Sequence, residues 1–233
     1  MTSSRLPGKH LLPACGKPML MHLIERLKRV PLIDRIVIAT TTNGTDDVLA
    51  ALADLAGIEY YRGSENDVMK RVLEAGEAFK ADIICEVTGD CPIIDPALVC
   101  HVIQTYLVNE VDYVNNGRNG LLGGMSAQVF SLAALQRSIA MTEDQLDREH
   151  VTLHFRKNPH IFRLMYLVAH PENHWPEVHL ELDEMSDYVL LKRIIEHFGV
   201  SNSEFDCIDV IRLLRGNPDW LNINQHVMRR GDA

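Results

Sequence analysis

The residues able to do chemistry in this chain cluster at its start and at the ends of apolar runs. Ser3, Ser4, Arg5, Leu6, Pro7, Gly8 and Lys9, followed by Cys15, Gly16, Lys17 and Pro18, bring hydroxyls, glycines and three cations together ahead of a helix. Glycine lets a backbone approach a ligand closely, and Arg5, Lys9 and Lys17 can neutralise a polyphosphate. The glycine spacing is that of neither a P-loop nor a dinucleotide fingerprint, and an ordinary N-terminal turn has the same composition. Asp90 follows the apolar run Asp82–Thr88, and Asp183 follows Val178–Leu182. Two strand-end carboxylates suit Mg²⁺, which prefers hard oxygen ligands and shares them with substrate phosphates. A lone Asp in such a turn also serves as a cap. Asp187, one helical turn beyond Asp183, is a weaker third ligand that can equally cap the next helix.

Histidines offer a competing metal reading. His150 and His154 stand four apart, and His170, His174 and His179 lie close in sequence. The general base of an H-E-x-x-H helix is missing, so solvent-facing imidazoles account for them as well. The five cysteines form no C-x-x-C and read as reduced thiols.

The elements that must position these groups alternate. Arg35–Thr41, Ile58–Tyr61, Asp82–Thr88, Val111–Asn115, Ala127–Ser131, Phe162–Ala169 and Val178–Leu182 read as strands. Helices are expected at Thr45–Ala56, Asn66–Lys80, from Pro96 to about Asn109, Leu132–Met141, Asp147–Lys157, Asp187–Phe198 and Ser203–Leu214. Such alternation implies an α/β fold with a mostly parallel sheet flanked by helices, and ligands in the crevice beyond the strands' carboxyl ends. Asn116–Met125, with four glycines in ten residues, suits a mobile loop over a site or a plain surface turn.

At 233 residues the chain fits one large domain; 46 % hydrophobic and 24 % charged residues exclude general disorder. A net charge of −9 without a basic block argues against a nucleic-acid partner. No segment reads as a signal peptide or membrane span, so the expected location is cytoplasmic.

The first motif, Met-Thr-Ser-Ser-Arg-Leu-Pro-Gly-Lys and then Leu-Leu-Pro-x-x-Gly-Lys-Pro-Met-Leu, resembles the cytidylyltransferases of the spore-coat-polysaccharide type. These are related to synthetases of CMP-activated sialic acid and ketodeoxyoctonate. The resemblance continues in order through Glu65–Arg71, Thr88-Gly89-Asp90-Cys91-Pro92, Arg148-Glu149-His150-Val151-Thr152 and Leu182-Asp183. It implies a nucleotide-diphospho-sugar transferase (glycosyltransferase-A-like) fold and transfer of CMP from CTP to an acidic sugar, releasing pyrophosphate. It places Arg5, Lys9, Lys17 and Asp90 in catalysis, and Ser3, Ser4, Gly8, Arg71 and Gly89 beside them around the nucleotide. Asp90 and Asp183 would hold Mg²⁺, and Arg148, Glu149 and His150 would lie near the acceptor or a subunit contact. Arg118 in the glycine-rich loop is a further group able to meet a carboxylate. A homodimer is a further implication. Two rivals differ in class: a glycosyltransferase, which commonly carries an Asp-x-Asp absent here, and a non-catalytic relative. The resemblance finally implies an apolar strand ending in Gln-Ala-Arg just before Met1. The expectation is that this chain lacks its first strand, either because Met1 is an internal methionine or because the chain is truncated.

Overall fold

The computed structural model describes Met1, Ser3, 5–199 and 204–228. A short hairpin of β1 (Pro13–Ala14) and β2 (Lys17–Pro18) turns through Cys15 and Gly16, both at positive φ, into α1 (Met19–Leu27). Then come β3 (Val37–Thr41), α2 (Asp47–Ala56), β4 (Glu59–Gly63), α3 (Val68–Ala78), β5 (Ile83–Glu86) and α4 (Pro96–Val108). The second half carries β6 (Tyr113–Asn119), β7 (Gln128–Ser131), α5 (Leu132–Ile139), α6 (Gln145–Glu149), α7 (Leu153–Lys157), β8 (Leu164–Val168), α8 (Met185–Phe198) and α9 (Cys207–Gly216).

Local chemistry sets the helix limits. Asp67 caps α3 through the Lys70 amide, and Gly57 ends α2 in the left-handed region. Asp95 caps α4 with Pro96 at the first helical position, and its second oxygen accepts from the Cys207 amide, tying α9 to α4.

The architecture is mixed α/β, not mostly parallel. β3 and β4 form a parallel pair, while the larger sheet runs β5-β7-β6-β8. There β7 is antiparallel to both neighbours, and only β6 and β8 run parallel. Hydrophobic alternation fixes which face of a strand is buried but not its direction, so the reversal of β7 leaves no mark in the pattern. The expected helix Asp147–Lys157 is two helices, because Val151 enters the core and Thr152 Oγ1 donates to Gln128 at the sheet end. Val178–Leu182 is not one of the strands: among the described residues it makes a single isolated bridge, Gly123↔His179, and is held by scattered backbone hydrogen bonds and by burial of Val178, Leu180 and Leu182. Ser203, the expected start of the last helix, lies outside the described residues; α9 begins at Cys207.

One face of the larger sheet packs Val114 and Val129 against Val99, Val102 and Ile103 of α4. The other packs Tyr113 and Phe130 against Phe155 and Phe162. A third core joins α8 and α9 to Leu121, Leu122 and Met125 of the glycine-rich loop. That loop is therefore neither a mobile lid nor a surface turn. Gly123 N donates to Val178 O at 2.8 Å and Leu180 N to Gly123 O at 3.1 Å. Gly124, at φ 83, lies so close to Leu180 that an added Cβ would stand 2.6 Å from its carbonyl oxygen. Its glycines serve close backbone approach.

Candidate active site

Two segments meet beyond the end of β5. The Thr88–Cys91 turn after β5 carries Asp90, and the extended segment before α8 carries Asp183. Leu182 N donates to Asp90 O at 2.8 Å, which clamps the two together. The N-terminal segment lays its cations across them. Lys9 Nζ stands 3.0 Å from Asp183 Oδ1 and 3.4 Å from Asp90 Oδ2, and Arg5 Nη2 is 2.9 Å from Asp183 Oδ2. Lys9 is buried, and Arg5 Nη1 is enclosed without a hydrogen-bond partner. Four residues from three distant stretches of the sequence thus form one compact charged cluster.

Gly8, at φ 71, makes the turn that delivers Lys9, and Ser3 Oγ accepts from the Leu6 amide. Ser4 lies outside the described residues. Gly89 has a purpose that motif reading does not supply: an added Cβ would stand 3.0 Å from His10 Nε2. His10 itself, which sequence reasoning missed, is lowered to about 4 by burial and by the Lys9 charge, so its imidazole is neutral at physiological pH.

Other expected site residues are placed elsewhere. Lys17 pairs with Glu25 at 2.7 Å and lines a separate pocket with Cys15 and His22, so it does not join the cluster. Asp187 is spent on a cap: its Oδ2 accepts from the amides of Asp183 and Glu184, and its Oδ1 from Asn224. Arg71 is half-buried rather than solvated, packed on Gly63, with Nη1 donating to the Ser64 carbonyl and Nε enclosed without a partner. Arg148 is a structural brace, because Nε, Nη1 and Nη2 reach Thr142 O, Asp67 and Ile139 O, while Glu149 and His150 are exposed. Arg118 is exposed, its guanidinium 5.5 Å over the Tyr166 ring. The histidines gather no metal set: His154 meets Ser138 in the core, and His170 and His179 face Glu172 and Glu181. Among the described residues no three His, Cys, Asp or Glu side chains form a metal-holding group. All five cysteines are free. No described helix is long and apolar enough to cross a membrane.

A cation that spans two carboxylates marks a place where positive charge is stable, and phosphates are the natural counter-charge for the displaced Lys9 and Arg5. Nucleotidyltransferases are an enzyme class that combines these needs on an α/β scaffold. This chain belongs to the cytidylyltransferase family, whose model matches residues 1–198. It is 34% identical over 225 residues to the spore coat polysaccharide biosynthesis protein SpsF of Bacillus subtilis, covering 94% of this chain and 92% of that one. A solved cytidylyltransferase from Leptospira borgpetersenii superposes with a TM-score of 0.90 at 29% identity, covering 99% and 95% of the two chains. The structure of CMP:2-keto-3-deoxy-manno-octonic acid synthetase complexed with CTP shares the fold, with a TM-score of 0.62 at 18% identity over 84% and 94%.

Proposed function

We propose that this enzyme transfers CMP from CTP to a hydroxyl of an acidic sugar, releasing pyrophosphate and giving a CMP-sugar for surface polysaccharide synthesis. The observation that carries the reading is the Lys9–Asp90–Asp183–Arg5 cluster. Two hard carboxylates already sharing one cation are a fit for a divalent ion such as Mg²⁺, which would complete its shell with phosphate oxygens and water. When bound, that ion supplies neutralisation of the phosphates and acidifies the attacking hydroxyl. Lys9 and Arg5 would then turn from the carboxylates to the β- and γ-phosphates and stabilise the leaving pyrophosphate. No protein nucleophile is required, because phosphoryl transfer is catalysed by positioning and electrostatics. The nearby Cys91 thiol fits this economy, since burial holds it protonated and inert.

The test is pyrophosphate release from CTP, UTP, ATP and GTP with a panel of sugar acids. CTP is expected to be preferred, excess chelator to stop turnover, and Asp90→Asn to lower kcat by at least about 100-fold with the fold intact. Equal rates with all four nucleotides, or full activity in chelator, would overturn the reading.

A further inference from the structure

A second polar group lies on the same sheet edge, and nothing in the phosphate chemistry uses it. Ladder register aligns Glu86 with Gln128, Gln128 with Asn115 and Asn115 with Tyr166, a single row across all four strands. Paired residues share a face, and so do residues two apart on one strand. The preceding row on this face is Ile84, Phe130, Tyr113 and Leu164, packed on Phe155 and Phe162. Within two residues, about 7 Å, the face turns from aromatic core to carboxylate and amides. It does so at the carboxyl end of β5, the end of a strand at which open α/β sheets bind ligands.

The row is wired but incomplete. Tyr113 Oη and Thr152 Oγ1 both donate to Gln128 Oε1, at 2.6 and 2.7 Å, and Gln128 Nε2 donates to Glu86 Oε2 at 3.3 Å. Arg156, one turn beyond Thr152, lies near enough for its charge to pull against the burial that pushes the Glu86 carboxyl up to about 7. Yet no Arg156–Glu86 ion pair closes within 4 Å, and the buried Arg156 Nε has no hydrogen-bond partner. An arginine recruited to neutralise Glu86 would complete the fork. One held short of it, with a donor unspent, is arranged for a third group.

We infer that this row is the acceptor subsite, with Arg156 receiving the carboxylate of the sugar acid and Gln128 and Glu86 its hydroxyls. The inference rests on the proposed CMP transfer and adds which residues select the acceptor. A guanidinium presents two parallel N–H donors matched to a carboxylate, and the amide and carboxyl beside it suit the donors and acceptors of a polyol. Glu86 lies four residues before Asp90, so an acceptor held here adjoins the carboxylates that serve the nucleotide.

The experiment compares wild type, Arg156→Met, Arg156→Lys and Gln128→Leu with the sugar acid turned over fastest in the panel and with its methyl ester, alongside calorimetric titration of CTP. Arg156→Met is expected to raise the acceptor KM roughly 10- to 100-fold, the loss of one charge-assisted contact, with CTP affinity within about twofold of wild type. Arg156→Lys should recover part of that loss. Wild type should prefer the acid to its ester and Arg156→Met should not, a change that a purely structural arginine would not produce. An unchanged acceptor KM and acid-over-ester preference in Arg156→Met would overturn the subsite while leaving CMP transfer standing. Failure of wild type to turn over any sugar acid would overturn both.

Discussion

Lys9 Nζ lies 3.0 Å from Asp183 Oδ1 while still within 3.4 Å of Asp90, so a single ammonium bridges carboxylates that stand far apart in the sequence. Any divalent ion must compete with it. Lys9→Met is therefore expected to bind Mn²⁺ alone more tightly, by about five- to tenfold, since a half-buried ion pair is worth on the order of 1 kcal/mol. The same variant should bind CTP more weakly. Titration of Mn²⁺ by paramagnetic resonance, with and without CTP, checks both signs. Unaltered Mn²⁺ affinity would show that Lys9 is no counter-ion.

Lys17 is expected to behave otherwise. Its pair with Glu25 is about two-fifths exposed on each side, and such pairs contribute about 0–1 kcal/mol. Lys17→Ala should leave the KM for CTP within about twofold of wild type, whereas Arg5→Ala, which removes a cation from the Asp183 carboxylate and from the proposed phosphate site, should raise it by tenfold or more. Steady-state kinetics on the two variants decides between them, and comparable rises would return Lys17 to the site.

Gly124→Ala tests the anchoring of the glycine-rich loop. The left-handed backbone and the Leu180 carbonyl oxygen 2.6 Å from the added Cβ combine strain with a backbone clash. A loss of about 2–4 kcal/mol is expected, or roughly 5–10 °C in Tm for a chain of this size. A melting curve within 1–2 °C of wild type, roughly the scatter expected of a surface change, would mean that the loop yields easily.

Glu86 gives a pH signature. Its folded carboxyl titrates near 7, above the ordinary 4.5, so the folded state holds a proton that the unfolded chain releases earlier. The associated stability is fully present below about pH 4.5 and is lost as pH rises through 7. Glu86→Gln keeps the uncharged form at every pH. It should match wild type near pH 4.5 and exceed it by on the order of 1–3 kcal/mol at pH 8. Urea unfolding of both proteins at the two pH values measures the difference, and an equal gap at both would deny the shift.

Much of this was legible in the residues. The β-branched run before Asn43-Gly44 announced β3, Asp95-Pro96 announced α4, and Asp90 and Asp183, expected to converge, do share the Lys9 ammonium although Val178–Leu182 forms no strand. Three things were not legible, each for a physical reason. Glycines in Asn116–Met125 look like freedom in one dimension but answer to neighbours from residues 174–181 that only the fold supplies. Arg148 and Arg156 belong to adjoining short helices, and composition does not say that the first braces α3 while the second faces the sheet edge. Lys17 sits in the N-terminal motif, yet the tight turn at Cys15 and Gly16 sends it to Glu25. Glu86 did leave a signal, a carboxylate in an otherwise apolar strand at the alternation phase of Ile84.

The bond from Leu182 N to Asp90 O has a kinetic consequence. The segment that carries Asp183 is joined on one side to the turn of Asp90 and on the other, through Gly123 and Leu180, to a loop whose Leu121, Leu122 and Met125 are buried with α8 and α9. Neither carboxylate can fray alone. In hydrogen exchange the amides of Leu180 and Leu182 would open together with the C-terminal helices, as one cooperative unit rather than as a loop's local breathing. Catalytic geometry and global unfolding in this enzyme are thereby drawn from the same reservoir of stability.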